Sequence, residues 1–181
     1  MSLLSISLWL STLLLAPYSD TKPNTPAPVD IPWKAEKRLS WQDFVAAPAP
    51  DNNHHALTST NLEMKVKCEN NKLKFKVEAI FNPNESWTRN PHSAALLAHE
   101  QLHFDITEIH ARMLRKRLME ANNACSSGAN ALNKYANEAF DNWHKEEDLY
   151  DRESRHGLDK ENQAAWEAKV SQRLKELEAY K

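Results

Sequence analysis

Two periods of hydrophobicity divide the chain. Leu62, Met64, Val66 and Cys68 alternate with Glu63, Lys65 and Lys67, and Leu73, Phe75, Val77, Ala79 and Phe81 repeat the alternation after Asn70-Asn71. A period of two puts one set of side chains on one face, which predicts an antiparallel hairpin with a buried face and a Lys/Glu-rich wet face. Pro83, Asn84 and Ser86 end it. Asn90-Pro91 then reads as an N-cap followed by proline at the first helical position, and no Gly or Pro interrupts the chain before Ala121. A helix of roughly 30 residues is predicted there. Its last part carries Arg112, Arg115, Lys116 and Arg117, which suits the negative end of the helix dipole. A loop from Asn122 to Asn130 contains Gly128, one of only two glycines. A second helix follows from about Ala131 to Arg155, with Leu132, Tyr135, Ala139, Phe140, Trp143 and Leu149 as apolar contacts. Gly157 breaks it, and Asp159 is placed to cap a third helix carrying Trp166, Val170, Leu174 and Leu177.

The start of the chain obeys neither period. Leu3 to Leu15 is almost unbroken apolar sequence, followed by Ala16-Pro17-Tyr18-Ser19, and this reads as a signal peptide over residues 1–19. The run is short for a membrane span, which takes roughly 20 apolar residues. No Lys or Arg precedes it, so an uncleaved N-terminal anchor is the alternative. Residues 20–32, rich in Pro, Asn and Thr, suit an extended linker. Trp33 and the segment Leu39-Ser40-Trp41-Gln42-Asp43-Phe44 offer large apolar anchors, so one folded domain is expected over 33–181. The class is α+β: a small antiparallel sheet packed on the long helix, with two further C-terminal helices.

Export bears on the cysteines, because Cys68 and Cys125 are the only two and an even count in an oxidising compartment is usually paired. A Cys68–Cys125 disulfide is expected, in a periplasmic or extracellular protein with no stable membrane span in its mature form. The formal net charge of -2 lacks the basic footprint that phosphate backbones require, which argues against nucleic acid as a partner.

The chemistry lies inside the long helix. His99-Glu100-Gln101-Leu102-His103 is an H-E-x-x-H sequence in the helical context that this motif demands. Residues four apart sit about 40° apart around the helix, so both imidazoles can converge on one ion at about 2.0 to 2.1 Å. Glu100 is turned by about 100° from His99, within reach of a water at that ion but outside the ligand set. One zinc ion held by His99 and His103, with Glu100 as general base, is the chemistry the pattern favours.

Zinc needs a third protein ligand. A metzincin spacing would require Gly at Ile106 and His at Ile109; His110 lies about 10 Å along the axis from His103, and His92 is equally remote on the other side. His54 and His55 fall in a loop. The break at Tyr150-Asp151-Arg152-Glu153-Ser154-Arg155-His156-Gly157 is the remaining source. His156 is the first choice, with Asp151 and Glu147 behind it, and Tyr150 is a candidate to steady an oxyanion. Asp105, turned some 200° from His103, should face away from the metal and bond elsewhere. Glu108 and Arg112 read as an i,i+4 surface pair.

At these residues the chain resembles a bacterial family of predicted secreted zinc-dependent proteases, catalogued as domain of unknown function family 922, within the broad H-E-x-x-H peptidase clan. The likeness is carried by Leu39 to Phe44, Ser86-Trp87, Leu96 to Ile106, and Tyr150-Asp151 through His156-Gly157 with Gln163 and Trp166. Ser154 stands where the family is expected to have Thr. The resemblance implies a zincin-like arrangement, brings Tyr150, Asp151 and His156 near the site, and strengthens His156 as a ligand. The expectation is therefore an exported zinc metallopeptidase acting on a peptide or protein substrate. The rivals are a zinc-stabilised binding module without turnover, and a metallohydrolase of non-peptide amides or esters.

Overall fold

The computed structural model describes residues 29–121, 125–126 and 129–181. The expected signal peptide, most of the expected linker and Gly128 lie outside the described residues. The order is β1 (Ile31–Pro32), β2 (Ala56–Leu57), β3 (Thr60–Glu69), β4 (Lys72–Phe81), β5 (Trp87–Thr88), then helices α1 (Ala94–Glu120), α2 (Ala129–Ser154) and α3 (Lys160–Glu176). The α+β class is as expected, with small antiparallel sheets beside three helices. Among the described residues no helix is long and apolar enough to cross a membrane.

β3 and β4 form the expected hairpin, with Leu62 opposite Ala79 and Cys68 opposite Leu73. Asn70 (φ 52°) and Asn71 (φ 58°) are both left-handed, the conformation of a two-residue turn whose twist matches the strands, and one that Asn tolerates well. Leu62, Val77, Ala79 and Phe81 face inward and are buried. β1 pairs with the far edge of β4, Ile31 opposite Phe81. Part of the segment read as linker therefore belongs to the fold, because Ile31 packs on the core and Pro32 sits on an edge strand that needs no donation from it.

α1 lies across this sheet. Its N-cap is Ser93, whose Oγ accepts from the Leu96 amide at 3.1 Å. The Asn90-Pro91 start is thus corrected: a hydroxyl three residues on satisfies a free helical amide, and Asn90 instead donates its backbone N–H to Thr88 Oγ1 at 3.0 Å. Asp159 caps α3 as expected, accepting from the Asn162 amide at 3.1 Å. Cys68 and Cys125 are joined, tying the far end of β3 to the connection between α1 and α2.

The Leu39–Phe44 segment fixes the N-terminal stretch to α1. Leu39 N donates to Gln101 Oε1 at 2.7 Å, and Phe44 sits edge-on to Phe81, centroids 5.1 Å apart. Asp105 does face away from the motif histidines, accepting from Trp33 Nε1 and Arg38 Nη1, each at 2.8 Å, and from Gln101 Nε2 at 2.9 Å. The Glu108–Arg112 pair is not on the surface, since both residues are buried. Arg112 bonds Glu108 at 2.9 Å and the Leu174 carbonyl at 2.6 Å; α3 and the C-terminal turn cover the pair, which helical spacing alone does not reveal.

Candidate metal centre

α1 is straight helix across His99–His103, so the two rings leave the same face one turn apart, nearly perpendicular to each other with centroids 4.8 Å apart. Their Nε2 atoms are 3.2 Å apart. Asp151, near the end of α2, brings Oδ1 to 3.2 Å from each of these nitrogens. Three donor atoms thus form an equilateral triangle. Ligands held tetrahedrally about 2.0 to 2.1 Å from zinc lie about 3.3 Å from one another, so the spacing is that of a ligand set. His99, Asp151 and His156 also form a group able to hold a metal ion, with donor atoms all within 4.8 Å of one another.

Asp151 Oδ1 is the decisive atom. Three imidazole nitrogens stand 3.2 Å from it, yet it is buried without an aligned hydrogen-bond partner, the one such side-chain atom among the described residues. A buried carboxylate oxygen without an aligned hydrogen bond is expensive. Lone pairs that converge on a point instead of pairing are what a cation requires, and the donor set of imidazole and carboxylate suits zinc.

The supports of the rings are in place. Glu147 Oε2 takes up a very short contact with His103 Nδ1, and its Oε1 accepts from Trp143 Nε1 at 2.8 Å. His99 Nδ1 faces Gln163 Oε1 at 3.3 Å. A hydrogen bond on the outer nitrogen of each ring frees Nε2 for a metal. Burial alone would depress the His103 pKa, but Glu147 and Asp151 outweigh it and hold the imidazole well above its ordinary value. Burial would likewise raise the Asp151 carboxyl, and His103 and His99 instead hold it well below the carboxylate range. A metal ion bound there would compete with a proton for His103.

His156 and Tyr150 go to different places. α2 ends in three successive left-handed residues, Arg155 (φ 51°), His156 (φ 54°) and Gly157 (φ 76°). This tight reversal carries the His156 Nδ1 back to 3.2 Å from Asp151 Oδ1, with 54% of its side chain exposed and the His54 ring edge-on at 4.8 Å. A Cβ at Gly157 would lie 3.0 Å from Cβ and Cγ of His99, so glycine is needed for the close approach as well as for φ. Tyr150 is fully buried behind the histidines, stacked near His99 at 4.8 Å. Its hydroxyl donates to Gln163 Oε1 at 2.8 Å, burial pushes its phenol far above the ordinary range, and it does not line the cavity described next. The oxyanion position expected for Tyr150 is thus not where the structure places it; the ring supports His99 from behind.

A cavity of about 990 Å³ opens over the histidines, lined by His99, Glu100, His103, Asp151 and His156 together with residues 53–60 of the β2 strand and its flanks. Glu100 is buried, and its Oε2 accepts from Thr58 Oγ1 at 2.6 Å. The structure thus brings together His99, Glu100, His103 and His156, places Asp151 Oδ1 at the third corner of the triangle, and sets Glu147 behind His103 as an orienting group. Thr58 is invisible to sequence reasoning, because a threonine between two short strands carries no periodic signal.

No curated protein and no solved structure matches the chain. The sequence profile of the family described as "Bacterial protein of unknown function (DUF922)" matches residues 35–157, a span that runs from just after β1 to the glycine against His99 and contains every residue of the triangle. The chain belongs to that family of bacterial proteins of unknown function.

Proposed function

We propose that this protein is a zinc-dependent hydrolase, exported from the cell and acting on peptide bonds. One observation carries the reading: His99 Nε2, His103 Nε2 and Asp151 Oδ1 stand 3.2 Å from one another, and the last has no aligned hydrogen bond. His99, His103 and Asp151 would hold the ion, with His156 at its exposed side. Bound there, zinc would supply Lewis acidity toward a water and a carbonyl.

The chain's own residues do the rest. Glu100 lines the same cavity and takes the proton of the attacking water at Oε1, since Oε2 is engaged by Thr58. It then passes that proton to the leaving amine. Residues 53–60 run along the cavity, and an extended substrate laid beside them would seat its carbonyl near the triangle. Export accords with the Cys68–Cys125 bridge and with the apolar run at Leu3–Leu15.

A second reading draws on His156. Its Nδ1 is close enough to Asp151 Oδ1 to complete a four-ligand set, and a zinc site closed by four protein ligands is structural, as in a binding module. The half-exposed His156 side chain and the presence of Glu100 in the cavity favour hydrolysis. The test is zinc content and cleavage of fluorescein-labelled casein by wild type, Glu100→Gln and His156→Ala. Zinc retained with turnover lost in Glu100→Gln supports the hydrolase; full activity in that variant, or a wild type that binds zinc and cleaves neither casein nor simple esters, refutes it.

A further inference from the structure

The metal centre leaves Ser86-Trp87 without a role, although both are buried. Several of their contacts lead to one short segment. Ser86 Oγ donates to the Asn82 carbonyl at 2.7 Å and accepts the Ser59 amide at 2.9 Å, while the Ser59 carbonyl accepts the Asn82 amide at 2.9 Å. Trp87 is the strand partner of Leu57. One residue further, the Thr60 hydroxyl meets Thr107 Oγ1 at 2.9 Å, and Thr107 donates to the His103 carbonyl at 2.9 Å. Leu57, Ser59 and Thr60 are thus each pinned, the last directly onto α1.

Thr58 sits in the middle of this frame and has its hydroxyl 2.6 Å from Glu100 Oε2. A hydroxyl donating to a carboxylate is a short, charge-assisted bond. A free Glu side chain spreads over many rotamers, whereas a general base must stand within hydrogen-bond reach of the proton it takes. We propose that Thr58 is a positioning residue for Glu100, fixing its carboxylate so that Oε1 is presented to the cavity, and that Ser86-Trp87 serves to hold Thr58 in register. This rests on the hydrolytic reading of the site. Thr58 supplies none of the triangle's three atoms, and its hydroxyl is taken up by Glu100, so its side chain acts through Glu100.

The experiment uses the full zinc-loaded chain as wild type, Glu100→Gln, Thr58→Val, Thr58→Ser and Ser86→Ala, assayed on fluorescein-labelled casein. Carbon-13 NMR of the Glu side-chain carboxyls is recorded on the metal-free forms. Valine matches threonine in shape, so folding and zinc content stay as in wild type. Thr58→Val is expected to lower kcat about 10- to 100-fold with KM unchanged, the usual cost of losing an outer partner of a catalytic group. Thr58→Ser restores kcat, Ser86→Ala reproduces part of the loss, and the Glu100 carboxyl resonance moves in the valine variant but not in the serine variant. A wild-type kcat in Thr58→Val, or an unmoved resonance, overturns the proposal; a wild-type kcat in Ser86→Ala overturns the part given to Ser86. If wild type itself shows no turnover, or Glu100→Gln retains it, the hydrolytic reading fails and the catalytic role of Thr58 falls with it, while a moved resonance would still show the contact.

Discussion

Glu146 ties the three helices together one residue before the carboxylate that orients His103. From α2 it meets His110 of α1 at 2.8 Å and a very close Arg173 of α3, with only 14% of its side chain exposed. Burial would raise its pKa, but the contacts with His110 and Arg173 dominate and lower it from 4.5 to about 2. A folded-state pKa below the unfolded one contributes stability that is complete above about pH 4.5 and disappears as pH falls through about 2. At about 1.36 kcal/mol per pH unit, the gap of about 2.5 is worth about 3 kcal/mol at neutral pH, of which about 1 is lost by pH 3.5. Glu146→Gln removes this dependence. Urea unfolding of wild type and variant at pH 7 and 3.5, under the same metal-free conditions, should give a stability difference that narrows by about 1 kcal/mol on acidification. Subtracting the variant cancels other carboxylates such as Asp151. A difference that stays constant or widens with acid would show that Glu146 is not held ionised by His110 and Arg173.

Three other perturbations probe the frame of the site. Gly157→Ala combines a left-handed φ, costing about 1 kcal/mol, with a Cβ 3.0 Å from the His99 ring; it should destabilise the fold by more than that alone and weaken zinc in a competitive metal titration, and unaltered affinity would mean the ring can yield. Glu147→Gln, which leaves Trp143 its acceptor but removes the carboxylate from His103, should weaken zinc about 10- to 100-fold with little change in far-ultraviolet circular dichroism. Reduction of Cys68–Cys125, which closes 57 residues, should lower stability to urea by up to about 4 kcal/mol on the chain-entropy account; an unchanged midpoint would show that the crosslink does not restrain the unfolded chain.

Much of the scaffold is legible in the sequence because its signals are local. The Lys/Glu alternation of the hairpin, the Asn70-Asn71 turn and the unbroken stretch of α1 each depend on neighbours a few residues away, and each element lies where the pattern puts it. The start of α1 differs by a few residues, since Asn90-Pro91 and Ser93 both look like caps and only the chain path decides which hydroxyl or amide meets the free helical N–H groups. Burial of Glu108 and Arg112 escapes the helical pattern because the Leu174 carbonyl that completes their network comes from α3.

The sequence by itself determined that His99, Glu100 and His103 share one helical turn, because a helix converts a spacing of four into a shared face without help from the rest of the chain. It also marked Gly157 as a singular break. Only the tertiary structure decided that Asp151 and His156 both come up to His99, that Tyr150 lies behind the rings, and that Thr58 reaches Glu100. Those contacts join α1 to α2 and to the β2–β3 junction across some forty to fifty residues of sequence, and no periodicity encodes the rigid-body placement of one helix against another, which packing of the whole core sets.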